Sequence, residues 1–383
     1  MSRTPRIAVI GAGLGGSAAA TLMAKAGFDV KLYEKTEVFS RLGAGIHLGP
    51  NLMHVMRRVG IEDRLLATGS QPERWYSRNY KTGEIMAEYA FGKTAVERYG
   101  APYLTVHRGD FHEQLVKAVP SDVLVVGKKL EKVEDTGKVV KLTFSDGSTE
   151  EADLVVGADG INSVVRETLL GAESPRHTGY AAHRAVFKTP VQSGGLKFDE
   201  CCKWWGPDRH MMVYYVTPEK NEIYYVTGVP GGENWDPVKP WIPSSRDEMR
   251  QMFEGWHPTV QALIEGTEEV TLWPLFERDP LPLWSRGRLV LIGDACHPMK
   301  PHMGQGAAMA IEDAAMLTRL LQEQGFDNHE QTFRLYEANR SSRTAKVQQV
   351  SHDNTWLKTQ ENPDWCFGYN AFEVPLVDLS ATA

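Results

Sequence analysis

The chain has 383 residues, 42% of them apolar, and a formal net charge of −7 from 42 Lys and Arg against 49 Asp and Glu. That length exceeds one ordinary hydrophobic core, so about two domains are expected. The acidic balance and the absence of a Lys/Arg cluster argue against a nucleic-acid partner, and no apolar run approaches the roughly 20 residues of a membrane helix.

The N-terminus runs into the apolar strand Arg6-Ile7-Ala8-Val9-Ile10 without a signal-peptide core. Next comes Gly11-Ala12-Gly13-Leu14-Gly15-Gly16, an alanine-rich helical stretch to about Ala26, and a stop at Gly27. A second strand over residues 28–33 ends at Glu34. This is a β-α-β dinucleotide signature. Gly11 permits the tight turn, Gly13 lets the backbone approach a pyrophosphate, and Gly16 lets helix and strand pack closely. Glu34 stands where a carboxylate holds ribose hydroxyls.

Residues 41–50 form a second glycine-dense loop containing His47, followed by a helix over 51–59 that stops at Gly60. Two strands are predicted around Lys81-Thr82-Gly83. His107-Arg108 precede a helix over 109–119, and strands follow at 123–126, 130–133 and 139–144. Gly157-Ala158-Asp159-Gly160 again ends a strand in a turn that opens a helix. From about 180 to 230 the text alternates, with Lys203-Trp204-Trp205, 210–216 and 222–229 reading as neighbouring antiparallel strands. Residues 231–243 read as a long loop, and a helix rich in Glu and Met comes after it.

The apolar run Leu289-Val290-Leu291-Ile292 then enters Gly293-Asp294, a Pro- and Gly-rich segment with His297 and His302, and Gly304-Gln305-Gly306. A helix is predicted over 307–324, further helix to about 360, and a frayed tail. A strand that breaks into glycines and opens a helix offers a carboxylate and free N–H groups to a phosphate-bearing cofactor. Cys201, Cys202, Cys296 and Cys366 form neither a CxxC pair nor a disulfide framework, so a reducing cytoplasm is expected. The His and Cys spacings predict no metal site.

Three motifs in this order, Gly11–Gly16, Gly157–Gly160 and Gly293-Asp294, resemble the single-component FAD-dependent aromatic hydroxylases of the para-hydroxybenzoate and salicylate hydroxylase type. The resemblance covers essentially the whole chain. It implies an α/β fold: a Rossmann-like FAD-binding domain (1–72, 102–175 and 285–383, with C-terminal helices) and an inserted antiparallel β-sheet substrate domain (73–101 and 176–284). It implies non-covalent FAD, NADH as co-substrate without a domain of its own, O2, a small aromatic acid as substrate, and a monomer or homodimer. The cofactor set it carries over is Gly11, Gly13, Gly15, Gly16, Glu34, Lys35, His47, Arg108, Leu130, Asp159, Asp294, Gly304, Gly306 and Ala307. Where the family commonly has Asn and Gln after Gly304-Gln305-Gly306, this chain has Ala308 and Met309, so backbone N–H groups must grip the flavin there.

Narrower features, Gly45-Ile46-His47, Cys201 with Lys203-Trp204-Trp205, His210 to Tyr215 and Lys300-Pro301-His302-Met303, resemble a branch in bacterial nicotinate degradation. That branch replaces a ring carboxylate with a hydroxyl. An electrophilic oxygen attacks only an electron-rich ring, so the pocket needs a base or proton relay and must exclude water. His47 and Tyr214 are expected to take or relay the substrate's hydroxyl proton, and His302 and His210 to orient ring and carboxylate. Strand alternation puts His210, Met212 and Tyr214 on one face and Met211 and Tyr215 on the other. Cys201 and Trp204 are expected beside the substrate, with core packing as the other reading of each, since the Cys201 thiol has no visible activating neighbour. Two other readings fit the same motifs: another decarboxylating hydroxylase of the salicylate type, and a flavin-bound ligand sensor without turnover.

Overall fold

The computed structural model describes residues 4–41, 44–188, 198–232, 235 and 239–379. The expected frayed tail beyond 379, and parts of the expected loops at 42–43 and within 231–243, lie outside the described residues.

Arg6–Ile10, Leu154–Gly157 and Leu289–Leu291 carry unbroken apolar runs, which suits strands covered on both faces. They form the centre of a six-stranded sheet ordered Ser285–Arg286, Leu289–Leu291, Leu154–Gly157, Arg6–Ile10, Asp29–Tyr33, Leu124–Val125. All neighbours are parallel except the Ser285–Arg286 edge. The Leu14–Lys25 helix leaves the first strand and packs against the Gly306–Gln324 helix. Small residues allow that approach: a Cβ on Gly15 would lie 3.0 Å from the Ala310 Cβ.

A second, eight-stranded sheet is ordered Ile242–Ser244, Val270–Glu277, Arg176–Lys188, Glu222–Pro230, His210–Tyr215, Cys201–Trp205, Arg74–Asn79, Ile85–Ala90. Only the Cys201–Trp205 and Arg74–Asn79 pair is parallel. Its two faces enter different cores. Cys201, Met212, Tyr214 and Tyr224 belong to the main core. Cys202, Trp204, Met211 and Val213 pack with Met249, Phe253 and Leu263, which belong to or adjoin the Arg246–Met252 and Pro258–Glu265 helices.

The α/β fold with an antiparallel sheet and C-terminal helices is the one expected. The glycine-dense loop differs. Gly45–Leu48 is a strand, paired antiparallel with Leu104–His107, because Ile46 and Leu48 find apolar partners in Val106 and Leu104. The helix Gly92–Tyr99 and the long strand Val270–Glu277 also had no clear signal in the sequence.

The Gly306–Gln324 and His329–Asp353 helices are joined through buried charge. Arg340 Nη1 lies 2.6 Å from Glu312 Oε2 and its Nε 2.8 Å from Asp313 Oδ1, with all three side chains fully buried. Arg343 adds a 2.8 Å pair to Glu312. Removing one partner from such a cluster strands the others. Arg340→Met is therefore expected to lower the urea-unfolding free energy by about 3–5 kcal/mol. The exposed Arg334→Met on the same helix serves as control and should change it by less than about 0.5 kcal/mol.

Candidate functional site

A cavity of about 410 Å³ opens where the two sheets meet. Gly13, Gly15, Arg108, Asp294, Gly306 and Ala307 line one side, and His47, Lys203, His210, Tyr214 and His302 line the other.

The first side fits a dinucleotide flavin. Gly11 has φ +100°, and a Cβ there would stand 2.6 Å from the Ala158 carbonyl oxygen. A Cβ on Gly16 would lie 1.9 Å from Gly11 O, whereas one on Gly13 would meet nothing within 4 Å. The turn is thus closed behind and open in front. The Leu14–Lys25 helix starts at that open side with no side-chain cap, leaving amides for a phosphate. Glu34 braces the loop, its Oε2 accepting from Ala12 N at 2.8 Å. Asp294 is exposed although protein surrounds it, because it stands on the cavity wall. Burial raises its carboxyl above the usual range against the pull of His297 and Arg108. Burial likewise lowers the Arg108 guanidinium, with Asp294 opposing.

The other side is built by cross-strand pairing. Cys201, Lys203 and Trp205 stand opposite Tyr214, Met212 and His210, all directed to one face. His47 enters from the Gly45–Leu48 strand, its Nδ1 2.8 Å from the Tyr103 hydroxyl and its ring 4.2 Å from that of Tyr214. Gly45 is required beside it, since a Cβ there would lie 2.5 Å from both Tyr214 and Tyr224. His302 Nδ1 is 3.1 Å from the Ser351 carbonyl oxygen. A carbonyl only accepts, so Nδ1 carries the proton and Nε2 is a bare lone pair. That Nε2 is buried with no partner among the described residues. His210 has the opposite tautomer. Asn354 accepts from Lys203 Nζ at 2.8 Å through Oδ1 and donates its amide to His210 Nδ1 at 3.0 Å, leaving the His210 proton on Nε2. The His210 and His302 rings meet edge to face at 4.9 Å.

These imidazoles are neutral. Burial, aided by Lys203, lowers His47 and His302 to about 3, and burial lowers His210 well below the usual value. Burial holds the Tyr214 phenol well above its ordinary range, so it stays protonated.

The structure separates the expected residues. His47, His210, Tyr214 and His302 meet at the cavity, as do Gly13, Gly15, Arg108, Asp294, Gly304, Gly306 and Ala307. Trp204 does not. It is on the opposite face, stacked on His257 at 5.0 Å, because residues 203 and 204 alternate across the strand. Cys201 is on the cavity side but fully buried behind the lining. Asp159 commits its carboxylate to Ser163 Oγ and the Val164 N–H, capping the Val164–Leu170 helix, so its neighbours Ala158 and Gly160 reach the cavity and it does not. Leu130 packs into the core and Lys35 is exposed away from the cavity lining. Ala308 and Met309 are buried behind the wall. Lys203, Tyr103, Asn354 and Arg184 were missed. Lys203 had a signal: a lone charge in the otherwise apolar and aromatic strand Cys201–Trp205. Among the described residues no His/Cys/Asp/Glu group could hold a metal, and no helix is long and apolar enough to cross a membrane.

The FAD binding domain family matches residues 4–351. A 6-hydroxynicotinate 3-monooxygenase of Bordetella bronchiseptica is 64% identical over 378 residues, covering 99% of this chain and 98% of that protein. One from Pseudomonas fluorescens is 64% identical over 384 residues and the full length of both. A solved salicylate hydroxylase substrate complex superposes with TM-score 0.82 at 27% identity, covering 96% of each chain.

The neutral histidines have a consequence for stability. Unfolded, each takes a proton near pH 6.5; folded, His47 and His302 take none until about 3. Stability therefore falls as pH drops through this window. Between pH 6 and 4, the slope of urea-unfolding free energy against pH is expected to be shallower for His302→Gln than for the unaltered protein, by about 1.4 kcal/mol per pH unit.

Proposed function

Because this chain belongs to the FAD binding domain family, we propose that it is an NADH- and FAD-dependent monooxygenase that converts 6-hydroxynicotinate, with O2, to 2,5-dihydroxypyridine and CO2. Identity of 64% over the full chain to enzymes named for that substrate supports the reaction. The observation that carries the reading in the site is the buried His302 Nε2 lone pair, held bare by the Nδ1–Ser351 hydrogen bond.

When bound and reduced, FAD supplies with O2 an electrophilic oxygen. The residues prepare the ring for it. A hydroxypyridine shares one acidic proton between its oxygen and ring nitrogen, and losing it makes the ring electron-rich. His302 Nε2 takes this proton, a step the sequence assigned to His47 and Tyr214. An incoming substrate anion raises the low basicity of His302 by offsetting the nearby ammonium charge. Tyr214, held protonated, and His47, fixed by Tyr103, hold the ring oxygen from the other side. Met212, Tyr224, Val226 and Trp75 exclude water around them. Once oxygen is added at the carboxylate-bearing carbon, loss of CO2 restores aromaticity.

Residues 1–72, 102–175 and 285–383 then form the cofactor side, and 73–101 and 176–284 the substrate side. Strand membership supports this division, since the eight-stranded sheet draws only on the latter segments. Four free, buried cysteines accord with a cytoplasmic enzyme.

The test is product analysis. 6-Hydroxynicotinate, NADH and O2 should give 2,5-dihydroxypyridine and CO2 in equal amounts, and NADH oxidation that yields only H2O2 refutes the reaction. Tyr214→Phe should reduce kcat/KM about 10²-fold. Tyr215→Phe should leave it within about threefold, because Tyr215 packs on Phe198 on the far face of the sheet.

A further inference from the structure

Lys203 is a buried amine without a counter-charge among the described residues, and burial pushes it well below its ordinary range. Its side chain is 2% exposed, in the centre of the sheet face that lines the cavity. The ammonium has three N–H groups. One donates to Asn354 Oδ1 at 2.8 Å and a second reaches the His302 carbonyl oxygen at 3.3 Å. The remaining contact is the Trp205 ring face, 3.9 Å from Nζ to its centroid. None of these neutralises it, and Lys358, whose charge acts on it, is also positive. The other cavity cations differ. Lys300 has Glu277 at 3.9 Å and Arg108 has Asp294, while Arg184, over Trp273 at 4.7 Å and likewise without a salt bridge among the described residues, differs in being only half-buried. A fully desolvated ammonium is costly unless an anion or a proton loss compensates it.

Its support is purpose-built. Asn354 ends the His329–Asp353 helix with φ +51°, a left-handed conformation that Asn tolerates better than most side chains. That turn aims one amide at both Lys203 and His210.

We propose that Lys203 is the anchor for the substrate's carboxylate and that Asn354 is the positioning residue that orients it. The proposal rests on the functional reading above and deepens it. The carboxylate, lying on the ring carbon that is attacked, supplies the missing negative charge. Lys203 thereby fixes the ring's rotation in the cavity, with the carboxylate at the Lys203–His210 end and the ring oxygen at the His47–Tyr214 end. The anchor's hold is specific to the acid: when the carboxylate leaves as CO2, a neutral hydroxyl stands on that carbon in place of the anion, and affinity falls at the moment release is needed.

The experiment measures ligand binding to the FAD-loaded enzyme by the change in flavin absorbance, using 6-hydroxynicotinate, nicotinate (carboxylate without hydroxyl) and 2-hydroxypyridine (hydroxyl without carboxylate). Lys203→Met should weaken both carboxylates by about 30-fold or more and change 2-hydroxypyridine by less than about threefold. Lys203→Arg should recover part of the loss. Asn354→Gly keeps the left-handed turn, removes only the amide, and should weaken the carboxylates about fivefold with 2-hydroxypyridine unchanged. Carboxylate selectivity retained in Lys203→Met overturns the proposal, and so does equal weakening of all three ligands. If Lys203→Met does not retain FAD, unchanged selectivity in Asn354→Gly overturns it. These readouts need no turnover, so they separate from product analysis of the unaltered enzyme, whose failure would refute the reaction instead.

Discussion

The cavity depends on one buried carboxylate, Asp313. Its Oδ2 accepts from Gly293 N at 2.9 Å and from His297 Nε2 at 2.6 Å, and its Oδ1 from Arg340 Nε at 2.8 Å. Burial pushes the carboxyl up, yet His297 and Arg340 outweigh it and hold it at about 2. These three bonds lock a strand end, a turn and a helix around one point. Gly293 is held at φ +59°, where a Cβ would be 2.8 Å from the Ala310 Cβ, and from that turn Asp294 reaches the cavity. The helix bearing Arg340 continues to Ser351 and Asn354, which set the tautomers of His302 and His210. One ion cluster therefore registers the cofactor side against the substrate side.

Charge in the cavity is arranged by dehydration more than by pairing. Among the described residues Arg108, Arg184, Lys203 and Lys300 line it, against Asp294 as the one carboxylate. Imidazoles in such a field stay neutral, which keeps them available as hydrogen-bond donors and acceptors of fixed direction. Excess positive potential suits ligands that arrive as anions, and it weakens as soon as one binds. The site thus becomes more basic with substrate present than without it.

The glycine turns, the parallel strands and the strand alternation could be read directly from the sequence, because each is a local rule: positive φ, two-sided burial, period two. Gly11 and Gly293, at positive φ, declared themselves in this way, Gly16 did so through its close approach to Gly11, and so did the shared face of His210 and Tyr214. What stayed hidden needed partners distant in sequence. Gly45–Leu48 becomes a strand only because residues 104–107 lie beside it. Asn354 matters through Lys203 and His210, 151 and 144 positions earlier. Asp159 was expected at the cofactor, while its carboxylate caps the next helix. Trp204 falls on the helix-covered face because residues 201–205 alternate just as 210–215 do.

The double-cored sheet has a consequence for how such an enzyme diverges. Residues 210, 212 and 214 touch the ligand space, while 211 and 213 belong to the core with Met249 and Phe253. Substitutions on the two faces share few neighbours, so their effects on stability are expected to add with little interaction. The cavity face can change its chemistry residue by residue while the helix-covered face holds the strands in place. New aromatic acids can thus be reached along short mutational paths that never pass through an unfolded intermediate sequence.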